Sequence, residues 1–398
     1  MTETKKKSFA LDFTKGSIIK KILAFSLPLM ATNLLQLLFN AADMIVVSID
    51  SDTAMGSIGA TTTMVNIILQ LFTGLSVGSG VIMARCYGAK DESYAGKVLH
   101  TSMVLGVLSG VAVALIGLLF SKTFLELMGT PEANLILATQ YLAIYFLGSP
   151  FNLIYNFGAS ALRSVGDAKR PLVFLTVAGV VNVIINLIAV LVFHLGVMGV
   201  AIATVASQAV SAILVVAVLF KNKVFFRLRI KDLKISVKAL VEILRIGIPS
   251  GVQGMVFSLS NAFIQSAINS FGTQVVNGNS AAVSLDGIVY TLMNSATVSC
   301  VTAAGQNYGA KNFDRIKKTM WQGTVFVVAV EVVAGGIILL LYDYAVSLFV
   351  SDPVSKQYAL NRSLILLTTY WTCGIMEVVS GTLRGMGYSV GPMIMVIL

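Results

Sequence analysis

Ten runs of about 20 or more mostly apolar residues follow one another along this chain, the length needed to cross a bilayer's hydrocarbon core, and basic residues sit in alternate gaps between them. The runs read as spans at roughly 22–48, 54–84, 98–120, 134–160, 171–193, 196–220, 240–268, 275–306, 319–342 and 358–382, with an eleventh starting at Pro392. All of the 28 lysines and arginines except Lys122, Lys356 and Arg362 lie in the N-terminal tail, in the even-numbered gaps or, for Arg245, within two turns of one. Loops on the cytoplasmic side collect Lys and Arg. The pattern therefore predicts a multi-pass protein of the plasma (inner) membrane with a cytoplasmic N-terminus.

Composition agrees. Apolar residues make up 56% and charged residues 12%, where a soluble domain carries about 25% charge. The net charge of +10 does not call for a nucleic acid, because its basic residues are spread over loops that topology already explains. The densest run, Lys221, Lys223, Arg227, Arg229, Lys231, Lys234 and Lys238, suits anionic lipid headgroups. Cys86, Cys300 and Cys373 lack metal or disulfide spacing, and His100 and His194 lie far apart, so neither a metal site nor a cofactor is expected. Met1–Lys21 is polar and basic and precedes a full-length span, unlike a cleavable signal peptide.

A repeat appears at a constant offset of 221 residues. Pro28 matches Pro249, Asn40-Ala41 matches Asn261-Ala262, and Tyr87-Gly88-Ala89-Lys90 matches Tyr308-Gly309-Ala310-Lys311. Leu162-Arg163, Gly166 and Pro171 match Leu383-Arg384, Gly387 and Pro392. The first unit holds six spans, an even number, so both units start on the same side and are related by an axis along the membrane normal. The expected divisions are an N-terminal segment 1–21, a first lobe 22–220, a cytoplasmic linker 221–239 and a second lobe 240–398. By the repeat the second unit should run to about residue 441, so a C-terminally truncated fragment is expected. The repeated Tyr-Gly-Ala-Lys loops read as glycine helix stops and as topogenic or inter-lobe gating elements. Pro150 should kink the fourth span, and Gly74, Gly78 and Gly80 should let helices approach closely.

Charges at membrane depth cost about 2.5–3.5 kcal/mol on insertion scales and need a reason. Asp43, Asp286, Glu331 and Glu377 stand out, with no Lys or Arg expected at comparable depth. Asn33, Gln36, Asn40 and Asp43 fall within about 80° of one another on a helix, and Asn182 and Asn186 share a face at i, i+4. Such a face should line a wet cavity, where Asp43 could exchange a proton or bind a competing cation such as Na⁺. In the second unit Asn261 and Gln265 repeat the polar stripe, Ile264 stands where Asp43 would, and Asp286, Tyr290 and Asn294 share a face. Asp286, Tyr290, Asn261, Gln265 and Glu377 are therefore candidates for a substrate cavity. No phosphate-binding loop, nucleotide fingerprint or nucleophile elbow occurs.

These residues carry a family resemblance. The segments Lys15-Gly16-Ser17-Ile18-Ile19-Lys20, Leu27-Pro28, Leu35-Gln36-Leu37-Leu38-Phe39-Asn40-Ala41-Ala42-Asp43, Gly305-Gln306-Asn307-Tyr308-Gly309-Ala310 and Leu383-Arg384-Gly385-Met386-Gly387, in this order, resemble the multidrug and toxic compound extrusion transporters. The resemblance implies an all-α membrane protein of two parallel six-helix repeats around a central cavity. It also implies alternating access and export driven by inward proton or sodium flow. The family's first-span acid maps onto Asp43, and a fifth-span acid position maps onto Asn186, where this chain has an amide. Expected partners are a small organic, cationic amphiphilic substrate, H⁺ or Na⁺, and the lipid bilayer, with no nucleic acid and a monomeric state. A lipid-linked precursor flippase is the nearest rival, and acidic deep charges argue against its pyrophosphate cargo. A membrane-embedded enzyme would need a catalytic cluster that two distant histidines do not supply.

Overall fold

A computed structural model of the chain describes residues 10–48, 52–128, 130–221 and 225–397. The first nine residues and Lys223 of the basic linker lie outside the described residues. The described residues are helical almost throughout, and nine of their helices are long and apolar enough to span a membrane. The first repeat comprises α1 (Ile18–Ser48), α2 (Asp52–Ala89), α3 (Glu92–Leu127), α4 (Glu132–Leu147), α5 (Ser149–Ser164), α6 (Lys169–Leu187) and α7 (Gly196–Lys221). The second comprises α8 (Val237–Asn269), α9 (Thr273–Gly309), α10 (Phe313–Leu340), α11 (Tyr342–Ser347), α12 (Pro353–Gly385) and α13 (Val390–Ile397).

The expected fourth span is two helices rather than one kinked helix. It breaks at Gly148, and Pro150 begins α5, because proline lacks the amide that would continue the ladder of α4. The fifth span ends in a π-helical turn over Ile188–Val192. The repeats meet through pairs that the pseudo-twofold axis exchanges: α1 lies against α9, and α2 against α8. Within each half the equivalence continues, with α6 on α1 and α13 on α8.

Small residues make these approaches possible. A Cβ at Gly74 would lie 2.4 Å from the Gly251 Cα, and one at Gly78 would lie 2.6 Å from the Ile243 carbonyl, so α2 and α8 touch backbone to backbone. Gly80 likewise faces the Ser160 hydroxyl of α5. Polar side chains then tie the α1–α9 seam: Ser26 and Ser299 hydroxyls are 2.6 Å apart, and Asn33 donates to Ser295 Oγ at 2.9 Å.

The repeated Tyr-Gly-Ala-Lys segments turn out to be contacts between the lobes. A Cβ at Gly88 would fall 1.8 Å from the Gln306 carbonyl oxygen, and one at Gly309 would fall 1.9 Å from that of Arg85. Arg85 and Gln306 are themselves repeat equivalents, so the contact is reciprocal. The glycines do not provide the left-handed helix stop; Lys90 (φ 58°) and Lys311 (φ 59°) do. Glycine serves proximity and lysine takes the turn, and each helix end is closed by hydrogen bonds such as Asp91 N–H to Cys86 O at 2.9 Å and Asn312 N–H to Asn307 O at 2.8 Å.

Residues 10–17 lie across the same seam. Phe13 is fully buried; its amide donates to Gln306 Oε1 at 2.8 Å, and Gln306 Nε2 donates to Ser164 O of the other repeat at 2.8 Å. Asn307 and Arg315 donate to the Phe13 carbonyl at 3.2 and 2.9 Å. Gly166, at φ 82°, leaves room for Leu11, whose carbonyl oxygen would sit 2.3 Å from an added Cβ. Burial opposes the charge of Asp12, but the Thr14 hydroxyl and amide and the nearby Lys21 and Lys15 outweigh it and hold the carboxyl below its usual value. The linker docks beside this face: His100 Nε2 accepts from the Arg229 amide at 3.0 Å, and Ser236 N–H donates to Thr101 Oγ1 at 3.0 Å.

If the glycine pair seals this face, Gly88→Leu should force it apart. In a variant otherwise free of cysteine, a cysteine substituted for Ser164 should react with a polar thiol reagent at least about tenfold faster, matching the loss of about 1.4 kcal/mol of closed-state preference. An unchanged labelling rate would show that the glycine contact does not hold the seam.

Candidate functional site

A polar chamber of about 460 Å³ opens within the first repeat, between α1, α4, α5, α6 and α7, and reaches α9. Asn33, Gln36, Asn40 and Asp43 all face it, as the helical spacing predicted, and Asn182 faces it from α6. Asn186 Nδ2 donates to Asp43 Oδ1 at 2.7 Å. Asn186 is 1% exposed, and its own carbonyl oxygen has no partner among the described residues. Tyr141, Tyr145 and Gln208 complete the wall. The sequence reading missed these, although Tyr141 and Tyr145 share the i, i+4 spacing that picked out the asparagines. Among the described residues no cation lies within ion-pair distance of Asp43.

The acids of the second repeat behave differently from expectation. Asp286 is neutralised at depth: Arg362 Nε lies 3.6 Å from its carboxylate. Arg362 sits at the outer end of the tenth span by sequence count, yet its long side chain reaches inward to Asp286, which residue position alone cannot register. The guanidinium also donates to Asn279 Oδ1, and Asn279 Nδ2 donates to Gln265 Oε1 at 2.9 Å. Gln265 and Asp286 thus belong to one internal network and line neither large chamber; Asn261 is exposed and lines neither chamber. Only Tyr290 and Glu377 of the five proposed substrate residues face a large chamber. Glu331, 1% exposed, faces neither; its carboxylate lies over Gly374, where a Cβ would come within 2.2 Å.

A second chamber, about 390 Å³, lies on the seam between the repeats. Glu377 lines it and is paired with Arg384 at 3.7 Å, each side chain 16% exposed. Arg163 lines it from the first repeat. By sequence Arg163 falls in a basic gap between spans, and the signal that singles it out is its repeat equivalence to Arg384. Phe257 and Tyr290 stack at 5.8 Å to form an apolar wall. Asn156, Tyr290 and Asn294 line both chambers, so the two adjoin. The sequence expectation of purely acidic deep charge is therefore corrected: one chamber carries a carboxylate, and the other carries two guanidiniums against one carboxylate.

A two-repeat helical membrane protein with one chamber inside the first repeat and an adjoining one on the seam between the repeats has the architecture of a carrier. The chain belongs to the MatE family, which matches residues 28–188 and again 249–398. Members of this family are secondary transporters, so the protein is a transporter and not an enzyme. Relatives include the "Probable multidrug resistance protein YpnP" of Bacillus subtilis, 29% identical over 95% of this chain and 85% of the relative. A second, YoeA of the same organism, is called by the same words and is 28% identical over 95% and 84%. A solved structure described as "Outward-facing conformation of a multidrug resistance MATE family transporter of the MOP superfamily" superposes with a TM-score of 0.92 over 99% of this chain and 88% of that one, at 23% identity.

The pairing of Asp286 predicts an asymmetric response. Arg362→Leu should destabilise the purified protein by about 3–5 kcal/mol, because it strands a buried carboxylate, whereas combining it with Asp286→Leu should recover most of that loss. Thermal unfolding in detergent checks both, and equal midpoints for the single and double variants would contradict the pairing.

Proposed function

We propose that this protein exports small organic compounds across the plasma membrane by alternating access, driven by H⁺ or Na⁺ moving inward through Asp43. The observation that carries the proposal is the setting of Asp43. It is a carboxylate with an amide partner, Asn186, and no cationic one among the described residues, and it faces a polar chamber. A carboxylate kept unneutralised at membrane depth costs free energy that a bound cation or proton would recover. Asn182, Asn40 and Gln36 supply further oxygen ligands within the same chamber. The names of the relatives support multidrug export, and the likeness to an outward-facing transporter supports a closed cytoplasmic face.

In this reading the N-terminus and the sealed face are cytoplasmic, the lobes are 22–220 and 240–398, the segments 1–21 and 221–239 lie in the cytoplasm, and the working unit is a monomer. Binding of the coupling ion shifts the populations of two arrangements of the lobes by its differential affinity for them. A cationic amphiphile remains compatible with Asp43, but Asp286 and Glu377 no longer recommend one, since arginines neutralise them. The arginines also remove the charge argument against a lipid-linked pyrophosphate cargo. Chambers of about 390 and 460 Å³ favour a small compound over a lipid-linked oligosaccharide.

The test is efflux of a fluorescent drug from vesicles under pH and sodium gradients imposed separately. Asp43→Asn should slow gradient-driven efflux at least about tenfold while leaving binding measurable. Undiminished gradient-driven efflux would remove Asp43 from coupling.

A further inference from the structure

The seam chamber holds charge that the coupling scheme does not use. Three ionised side chains line it: Arg163, Arg384 and Glu377. Among the described residues Glu377 is ion-paired with Arg384 alone, at 3.7 Å, and the buried Arg384 Nε has no hydrogen-bond acceptor. Arg163 has no carboxylate within ion-pair distance among the described residues. A guanidinium offers five donors in a planar fork, so even Arg384 keeps donors free.

The repeat shows how this excess arises. Arg163 and Arg384 are equivalents at the 221-residue offset, and the equivalent of Glu377 is Asn156. Asn156 lines the same chamber but donates to the backbone and side chain of Asn152, both at 2.9 Å. One lobe therefore gives its arginine an internal counter-ion and the other does not. A helix-end role alone could account for a basic residue in the last turns of α5 and α12. It does not account for both guanidiniums bordering one chamber of mixed polar and apolar lining beside a stacked aromatic pair.

We propose that the seam chamber is an anion subsite. Arg163 and Arg384 hold the carboxylate or phosphate group of an amphiphilic organic anion, and Phe257 and Tyr290 carry its apolar body. Guanidinium is weakly hydrated and matches the oxygens of either group in a bidentate fashion, and low dielectric strengthens the contact. Glu377 then competes with the ligand for Arg384. The chamber volume, about 390 Å³, lies in the range of small-molecule sites. This subsite rests on the reading of the chain as an exporter and narrows its cargo: the exported compound carries an anionic group, and the coupling ion binds separately at Asp43 next door.

Equilibrium binding, measured without any gradient, separates this idea from the coupling scheme. Purified full chain in phosphatidylcholine nanodiscs is titrated with a dansyl-labelled long-chain carboxylate and with its methyl ester. The wild type should prefer the acid. Arg163→Gln should weaken acid binding at least about tenfold and erase that preference, Arg163→Lys should restore part of it, and Glu377→Gln should tighten acid binding. Inorganic phosphate should fail to displace the probe at equal concentration. Equal affinities for acid and ester in the wild type, unchanged acid affinity in Arg163→Gln, weaker acid binding in Glu377→Gln, or displacement by phosphate would each overturn the assignment. Because Asp43 is intact throughout, failure here leaves the coupling test untouched.

Discussion

A charge taken to membrane depth must find an opposite charge, a polar chamber or a high energetic cost, and the arrangement of this protein follows from how each charge meets that demand. Asp286 finds Arg362, and Glu377 finds Arg384. Among the described residues Asp43 finds only the amide of Asn186 and a polar chamber, and Arg163 finds no carboxylate, only the chamber on the seam. Glu331 is buried without an opposite charge among the described residues and faces neither chamber, whereas the two chamber-facing groups that lack one, Asp43 and Arg163, have opposite sign and occupy adjoining spaces. Two kinds of ligand, a coupling cation and an anionic group, can then be held at once without competing for the same side chain.

The seam that carries the second of these spaces is built to be reversible. Its contacts are glycine against carbonyl at Gly88 and Gly309, serine against serine at Ser26 and Ser299, and the buried Phe13 held by amide hydrogen bonds. None is an ion pair whose rupture would strand a charge. Such a surface can open and reclose at modest cost, which a carrier with two arrangements of its lobes requires. Larger side chains at the glycines would replace this choice with a single fixed geometry.

Much of this was legible in one dimension. Hydropathy located the spans, the 221-residue offset exposed the two repeats, and helical spacing put Asn33, Gln36, Asn40 and Asp43 on one face, where they stand together in the chamber. What escaped depended on where long side chains reach. Arg362 stands at the outer end of the tenth span, yet it turns inward to Asp286, and Arg163 and Arg384 fall in basic gaps between spans although their guanidiniums line the seam. Arginine carries its charge several bonds from the backbone, so its position in the chain does not fix the depth of that charge. The glycine loops misled for another reason: Gly88 and Gly309 match the chemistry of a helix stop, but close packing between lobes requires glycine just as strictly, and only the fold tells these demands apart.

Infrared difference spectroscopy between acidic and neutral pH, on the protein in nanodiscs, addresses the central claim most directly. If Asp43 is the carboxylate left free to exchange a cation while Asp286 and Glu377 are held by arginines, a carboxylic C=O band should vanish in Asp43→Asn and persist in Asp286→Asn and Glu377→Gln. A spectrum in which that band survives the loss of Asp43, or disappears with Asp286 or Glu377 instead, would contradict it.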